Sequence, residues 1–89
     1  MTEITMISAT WCPSCLTTKK LLKEILEKDN TLELNVVDYD LNINEIAKYN
    51  LSDGDVLPII IINNNRLVGE HKINELEKFI KENKNEENN

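Results

Sequence analysis

The stretch Ala9-Thr10-Trp11-Cys12-Pro13-Ser14-Cys15 holds the only two cysteines of the chain, its only tryptophan and one of its two prolines. Proline is favoured in the first turn of a helix, where its missing N–H has no helical partner to lose. A helix starting at Pro13 puts both thiols on or beside its first turn, within bonding reach of each other. The residues on either side agree with such a start. Glu3-Ile4-Thr5-Met6-Ile7-Ser8 is a short strand pattern, with Ile4 and Met6 on one face and Thr5 and Ile7 on the other, as in a central strand. From residue 13 to 29 the pattern is helical. Cys15, Thr18, Leu21, Leu22, Ile25 and Leu26 share one side, and Lys19, Lys20, Lys23, Glu24, Glu27 and Lys28 share the other. On this wheel Cys15 falls at the edge of the buried face and Cys12 points nearer to solvent. Leu16 lies among the charged residues beside the thiols, as a lone exposed leucine or as an apolar contact for a docking partner.

Farther along, Asp29-Asn30 ends the helix, and residues 31–38 form a second strand with Leu32, Leu34 and Val36 on one face. Asn42-Ile43-Asn44-Glu45 fits a capping box. It opens a short helix to about Tyr49, with Ile43, Ile46, Ala47 and Leu51 as its apolar side. Asn50 to Val56 is a polar loop. Pro58-Ile59-Ile60-Ile61-Ile62 is a strand buried on both faces, with proline tolerated only at its start. Asn63-Asn64-Asn65 is a turn, because asparagine accepts left-handed φ. Arg66-Leu67-Val68 completes a hairpin, Gly69 ends it, and a last helix runs from about Lys72 to Glu82, burying Ile73, Leu76, Phe79 and Ile80. The order is β-α-β-α-β-β-α, an α/β fold with a four-stranded mixed sheet and helices on both faces. The first crossover is parallel by the right-handed rule. The domain is expected to span residues 1–82, and residues 83–89 to form a polar, disordered tail.

Eighty-nine residues make one small domain. The net charge of −6 argues against a nucleic-acid binder and against docking on an anionic membrane. No apolar run is long enough to span a membrane. The start lacks a basic region followed by an apolar run, so no signal peptide is expected. A cytoplasmic location follows as the expectation. In that reducing setting a close cysteine pair is more often catalytic or metal-binding than a structural staple.

Trp11-Cys12-Pro13-Ser14-Cys15 after a first strand, Pro58 opening a later buried strand, and Gly69 ahead of a last amphipathic helix together resemble the thioredoxin/glutaredoxin superfamily over residues 3–82. In length the chain resembles glutaredoxins and the short thioredoxins. The resemblance implies a thioredoxin-like fold and a cis Leu57-Pro58 bond lying against the cysteines. It also implies that the Leu57 backbone offers hydrogen bonds to an extended substrate segment. The chemistry also follows from the helix start: unpaired N–H groups and the dipole lower the pKa of a thiol there. Cys12 is then the exposed nucleophile that forms a mixed disulfide, and Cys15 is the sheltered thiol that resolves it. Trp11, Pro13, Leu57 and Pro58 are the expected substrate-binding residues. Lys19 and Lys20, a turn or more away, are expected to matter less than the dipole. Asp38 and Asp40 are read as capping residues, with a place near Cys15 open to one of them. His71 is read as a surface residue.

Three departures from the family pattern are visible. Thioredoxins carry a buried Asp six residues before the first cysteine, where this chain has Met6, so proton transfer must use water or another group. The glutaredoxin Thr-Val-Pro segment is Val56-Leu57-Pro58 here, and its Gly-Gly-x-Asp turn is Val68-Gly69-Glu70-His71. The function expected is a dithiol–disulfide oxidoreductase acting on protein disulfides. It would be a monomer recharged by a separate reductase and would hold no bound cofactor, with a potential of roughly −200 to −270 mV. A glutathione-dependent glutaredoxin is the alternative. A small metal-binding module using the cysteine pair is a further one. Copper chaperones also place Cys-x-x-Cys at a helix start, but with one helix fewer than this order. Two cysteines and one distant histidine do not complete a zinc site, and Pro13 disfavours an iron–sulfur cluster bridged between two chains.

Overall fold

The computed structural model describes residues 2–49 and 56–84. Its elements are β1 (Thr2–Ser8), α1 (Pro13–Lys28), β2 (Leu32–Asp38), α2 (Ile43–Ala47), β3 (Ile59–Ile62), β4 (Asn65–Val68) and α3 (Ile73–Asn83). The sheet order is β2-β1-β3-β4. β1 runs parallel to β2 and antiparallel to β3, and β3 pairs antiparallel with β4. Both central strands are apolar on both faces, as their sequences require. Ile4 and Met6 of β1 and Ile60 and Ile62 of β3 pack with Leu22 and Ile25 of α1 and Leu76 and Ile80 of α3. Ile7, Val37 and Ile59 face the other way, where Ile46 and Tyr49 of the α2 segment cover them. Helices therefore lie on both faces of the sheet.

The β3–β4 turn takes positive φ at both central residues, 50° at Asn63 and 72° at Asn64. Asparagine tolerates this geometry, which matches the twist of a two-residue hairpin. Gly69 has φ 89° and donates its N–H to the Pro58 carbonyl at 2.9 Å, closing the hairpin base.

Several expectations need correction. Asn42 makes no side-chain cap; its Oδ1 instead accepts the Asp38 N–H at 3.0 Å, holding the β2–α2 corner. Ala47 is exposed, because the short helix covers the sheet with Ile46 and the following Tyr49. Val36 shares the facing of Leu32 and Leu34, yet is 39% exposed, since β2 is an edge strand that ends beside a cleft at the start of α1. The last helix continues to Asn83, and Lys84 bonds Asp29 at 2.8 Å, so the fold extends two residues past the expected boundary. Leu51, most of the polar loop and residues 85–89 lie outside the described residues.

Candidate functional site

Helix α1 places the cysteines as the Pro13 argument requires. Cys12 is its N-cap, in extended conformation, and Pro13 is the first helical residue. The backbone turns tightly here: the Cys12 N–H donates to the Ala9 carbonyl and the Cys15 N–H to the Cys12 carbonyl, each at 3.2 Å. No acidic residue occupies the first turn. The positive end of the helix dipole therefore has no carboxylate to neutralise it and acts on the thiols.

Both cysteines are free thiols. Cys15 is 1% exposed, as its edge position on the buried face predicts. Cys12 is 7% exposed, more sheltered than the expected outward-pointing nucleophile. The reason is the chain segment before β3. Cys12 Sγ lies 3.9 Å from the Leu57 carbonyl oxygen and 3.3 Å from Ser14 Oγ. The Leu57-Pro58 bond is cis. Pro58 itself is fully buried, so its ring offers no surface for a substrate. Leu57 is half-buried, with its carbonyl beside the thiol, while Pro13 and Trp11 are exposed, Trp11 at 63%.

The two thiols are pushed in opposite directions. Burial works to raise Cys12. Hydrogen bonds to its sulfur from the Cys15 and Ser14 side chains, and from their backbones, outweigh this and hold it below an ordinary thiol. Burial pushes Cys15 up to about 12, aided by its hydrogen bond to Cys12 and by repulsion from that sulfur. The Ala9 backbone and the charge of Lys19 oppose that rise. Cys12 is therefore the more readily ionised of the two, and Cys15 stays a thiol at neutral pH.

The sequence did not single out the support for Trp11. The indole Nε1 donates to Asp40 Oδ2 at 2.7 Å, across from the β2–α2 corner. That corner is built by Asp38, whose Oδ1 accepts the N–H groups of Asp40 at 2.8 Å and Leu41 at 3.0 Å. Asp38 is thus a capping residue, as expected, and it also lines a cleft of about 140 Å³ with Cys15, Leu16, Lys19 and Val36. Leu16 is 58% exposed on that cleft. Lys19, expected on the solvated face, is half-buried there. His71 lies apart from the cysteines: its Nε2 is 3.0 Å from the Val68 carbonyl and its Nδ1 is 3.4 Å from Glu75 Oε1. Among the described residues no three His, Cys, Asp or Glu side chains converge. None of the helices there is long and apolar enough to cross a membrane.

No family model matches the sequence, and no curated protein matches it. Solved structures do. The chain is similar to a malarial protein at TM-score 0.78 and 22% identity, covering 96% of this chain and 99% of that one. The Fasciola hepatica thioredoxin superposes at TM-score 0.76 and 22% identity, over 93% of this chain and 81% of that one. The reduced Schistosoma mansoni thioredoxin preprotein superposes at TM-score 0.71 and 30% identity, over 92% of this chain and 78% of that one. A four-stranded mixed sheet, a cis-proline segment facing a Cys-x-x-Cys helix start, and thioredoxin neighbours from several species lead to one conclusion: this chain belongs to the thioredoxin-like superfamily.

Proposed function

We propose that this protein is a thiol–disulfide oxidoreductase that reduces protein disulfides by cycling Cys12 and Cys15 between dithiol and disulfide. The observation that carries this reading is the opposed electrostatics of two free thiols at one helix start, one held low and the other pushed up to about 12. The Cys12 thiolate attacks a substrate disulfide. One substrate sulfur bonds to Cys12, and the other leaves with the electron pair and takes a proton. Cys15, once deprotonated, attacks Cys12. The mixed disulfide breaks, the second substrate thiolate departs, and the cysteine pair is left as the Cys12–Cys15 disulfide, oxidised by the two electrons that the substrate has gained.

The shelter of Cys12 beside the Leu57 carbonyl bears on substrate choice. An extended segment laid along Leu57 pairs with backbone that no strand of the described sheet uses, and brings its sulfur to Cys12. Exposed Trp11 and Pro13 border that approach. The redox group is the cysteine pair itself, with no bound cofactor. Electrons return from a separate reductase, in a thiol-reducing compartment such as the cytoplasm. Glutathione is the alternative donor, and parallel recycling assays with glutathione and with a thioredoxin reductase separate the two.

The test is insulin reduction with catalytic amounts of protein and excess dithiol. Wild type turns over many times. Cys12→Ser loses turnover, and Cys15→Ser accumulates a protein–substrate mixed disulfide visible by mass spectrometry. Multiple turnover by Cys12→Ser would sink the assignment.

A further inference from the structure

The resolving step requires Cys15 to lose a proton, yet the core around it offers no acceptor. It belongs to one apolar cluster with Met6 of β1, Ala9 just after that strand, Ile60 and Leu76, and none of these can take a proton. The opening toward solvent is on the other side. A cleft of about 140 Å³ reaches Cys15 between the start of α1 and the end of β2. That volume holds a few water molecules. Two charged side chains line it with Cys15: Lys19, one helical turn farther along α1, and Asp38, the last residue of β2. They form no ion pair with each other within 4.0 Å. Lys19 is half-buried and its charge acts on the Cys15 sulfur. Asp38 commits Oδ1 to two backbone N–H groups, and Oδ2 has no hydrogen bond among the described residues. The remaining titratable group facing Cys15 is Cys12, which is in disulfide linkage to the substrate during resolution.

We infer that Asp38 and Lys19 are positioning residues for the resolving step: water in this cleft carries the Cys15 proton to the Asp38 carboxylate, while Lys19 favours the thiolate left behind. This rests on the proposed oxidoreductase reading and gives Asp38 a task that the apolar neighbours of Cys15 cannot perform. The step balances. The Cys15 S–H bond breaks as Asp38 gains the proton through water. The thiolate pair then forms the Cys12–Cys15 bond, and the Cys12–substrate bond breaks. The substrate leaves as a thiolate, reduced by the two electrons that the cysteine pair gives up, and Asp38 returns its proton to solvent.

The step can be isolated with dithiobis-nitrobenzoate as the probe disulfide. Cys12 attack releases a first nitrothiolate at a rate that scales with reagent. Cys15 resolution releases a second at a rate independent of it. Asp38→Asn keeps an Oδ1 acceptor for the Asp40 and Leu41 N–H groups, so the corner survives. The expected result is an unchanged first phase and a second phase slowed about tenfold or more at neutral pH. That deficit shrinks as pH rises and hydroxide deprotonates Cys15 directly. Lys19→Met slows the second phase in the same way, and Lys19→Arg restores it. A second phase unaltered in Asp38→Asn at every pH overturns this inference and leaves the oxidoreductase reading standing. A wild-type protein that releases only one nitrothiolate overturns both.

Discussion

Cys12 and Cys15 are three positions apart and behave as different acids because burial dominates at Cys15, whereas hydrogen bonds to the sulfur outweigh it at Cys12. The sign is fixed by the direction of each shift. The folded value of Cys12 lies below its unfolded one, so its contribution to the stability of the reduced fold is present above the unfolded thiol value. That contribution is lost as pH falls through the folded value. Alkylation by iodoacetamide should accordingly modify Cys12 in preference to Cys15 at neutral pH, with a rate–pH inflection below that of the same thiol in the unfolded chain. Mass mapping of the alkylated peptide checks both. Ser14→Ala removes one donor and should move that inflection upward. At Trp11, the bond to Asp40 fixes a ring that is mostly in solvent. Asp40→Ala should lower kcat/KM for a protein disulfide about fivefold, the equivalent of about 1 kcal/mol for a lost hydrogen bond. It should leave the alkylation rate of Cys12 unchanged.

At the scale of elements, helix α1 is a lever with its apolar face in the core and its N-terminus at the chemistry. Leu22 is fully buried among Ile4, Ile60 and Leu76. Leu22→Ala should cost about 2–5 kcal/mol in urea unfolding, the range for a large-to-small core substitution. In the hairpin, Asn64→Val forces a β-branched residue into positive φ and should cost about 1–2 kcal/mol, whereas Asn64→Gly should be tolerated. These elements were legible because each obeys one local rule: Pro13 at a helix start, asparagines at a two-residue turn, unbroken isoleucines in a strand buried on both faces. The misreadings came where a local rule met a tertiary partner. Asn42 has the composition of an N-cap, but the Asp38 N–H claims its side chain. Val36 has the periodicity of a core residue, but its strand is at the sheet edge beside a cleft.

Over the whole molecule the order of elements follows from alternating hydrophobic periods, while the site depends on contacts that periodicity does not encode. Cys12 and Leu57, 45 positions apart, close into a 3.9 Å contact, and the resemblance to a family pointed there before the spacing alone could. The same chain-long closure appears at the opposite end of α1, where Asp29 meets Lys84 across 55 residues at 2.8 Å. Lys84 and Thr31 hold the Asp29 carboxyl down at about 2. A depressed carboxylate adds stability above its unfolded value, and that stability is lost as pH falls toward about 2. Lys84→Met should remove part of this acid-sensitive stability, leaving a shallower loss in acid unfolding between about pH 4 and 2. The central claim is that Cys12 and Cys15 form one reversible two-electron couple. Equilibration of the full chain in dithiol–disulfide buffers of graded potential, followed by acid quenching, thiol alkylation and intact mass, tests it most directly. The account predicts a single two-electron transition between dithiol and intramolecular disulfide, with a midpoint of roughly −200 to −270 mV. A chain that stays dithiol throughout, or that oxidises only by linking two chains, would contradict it.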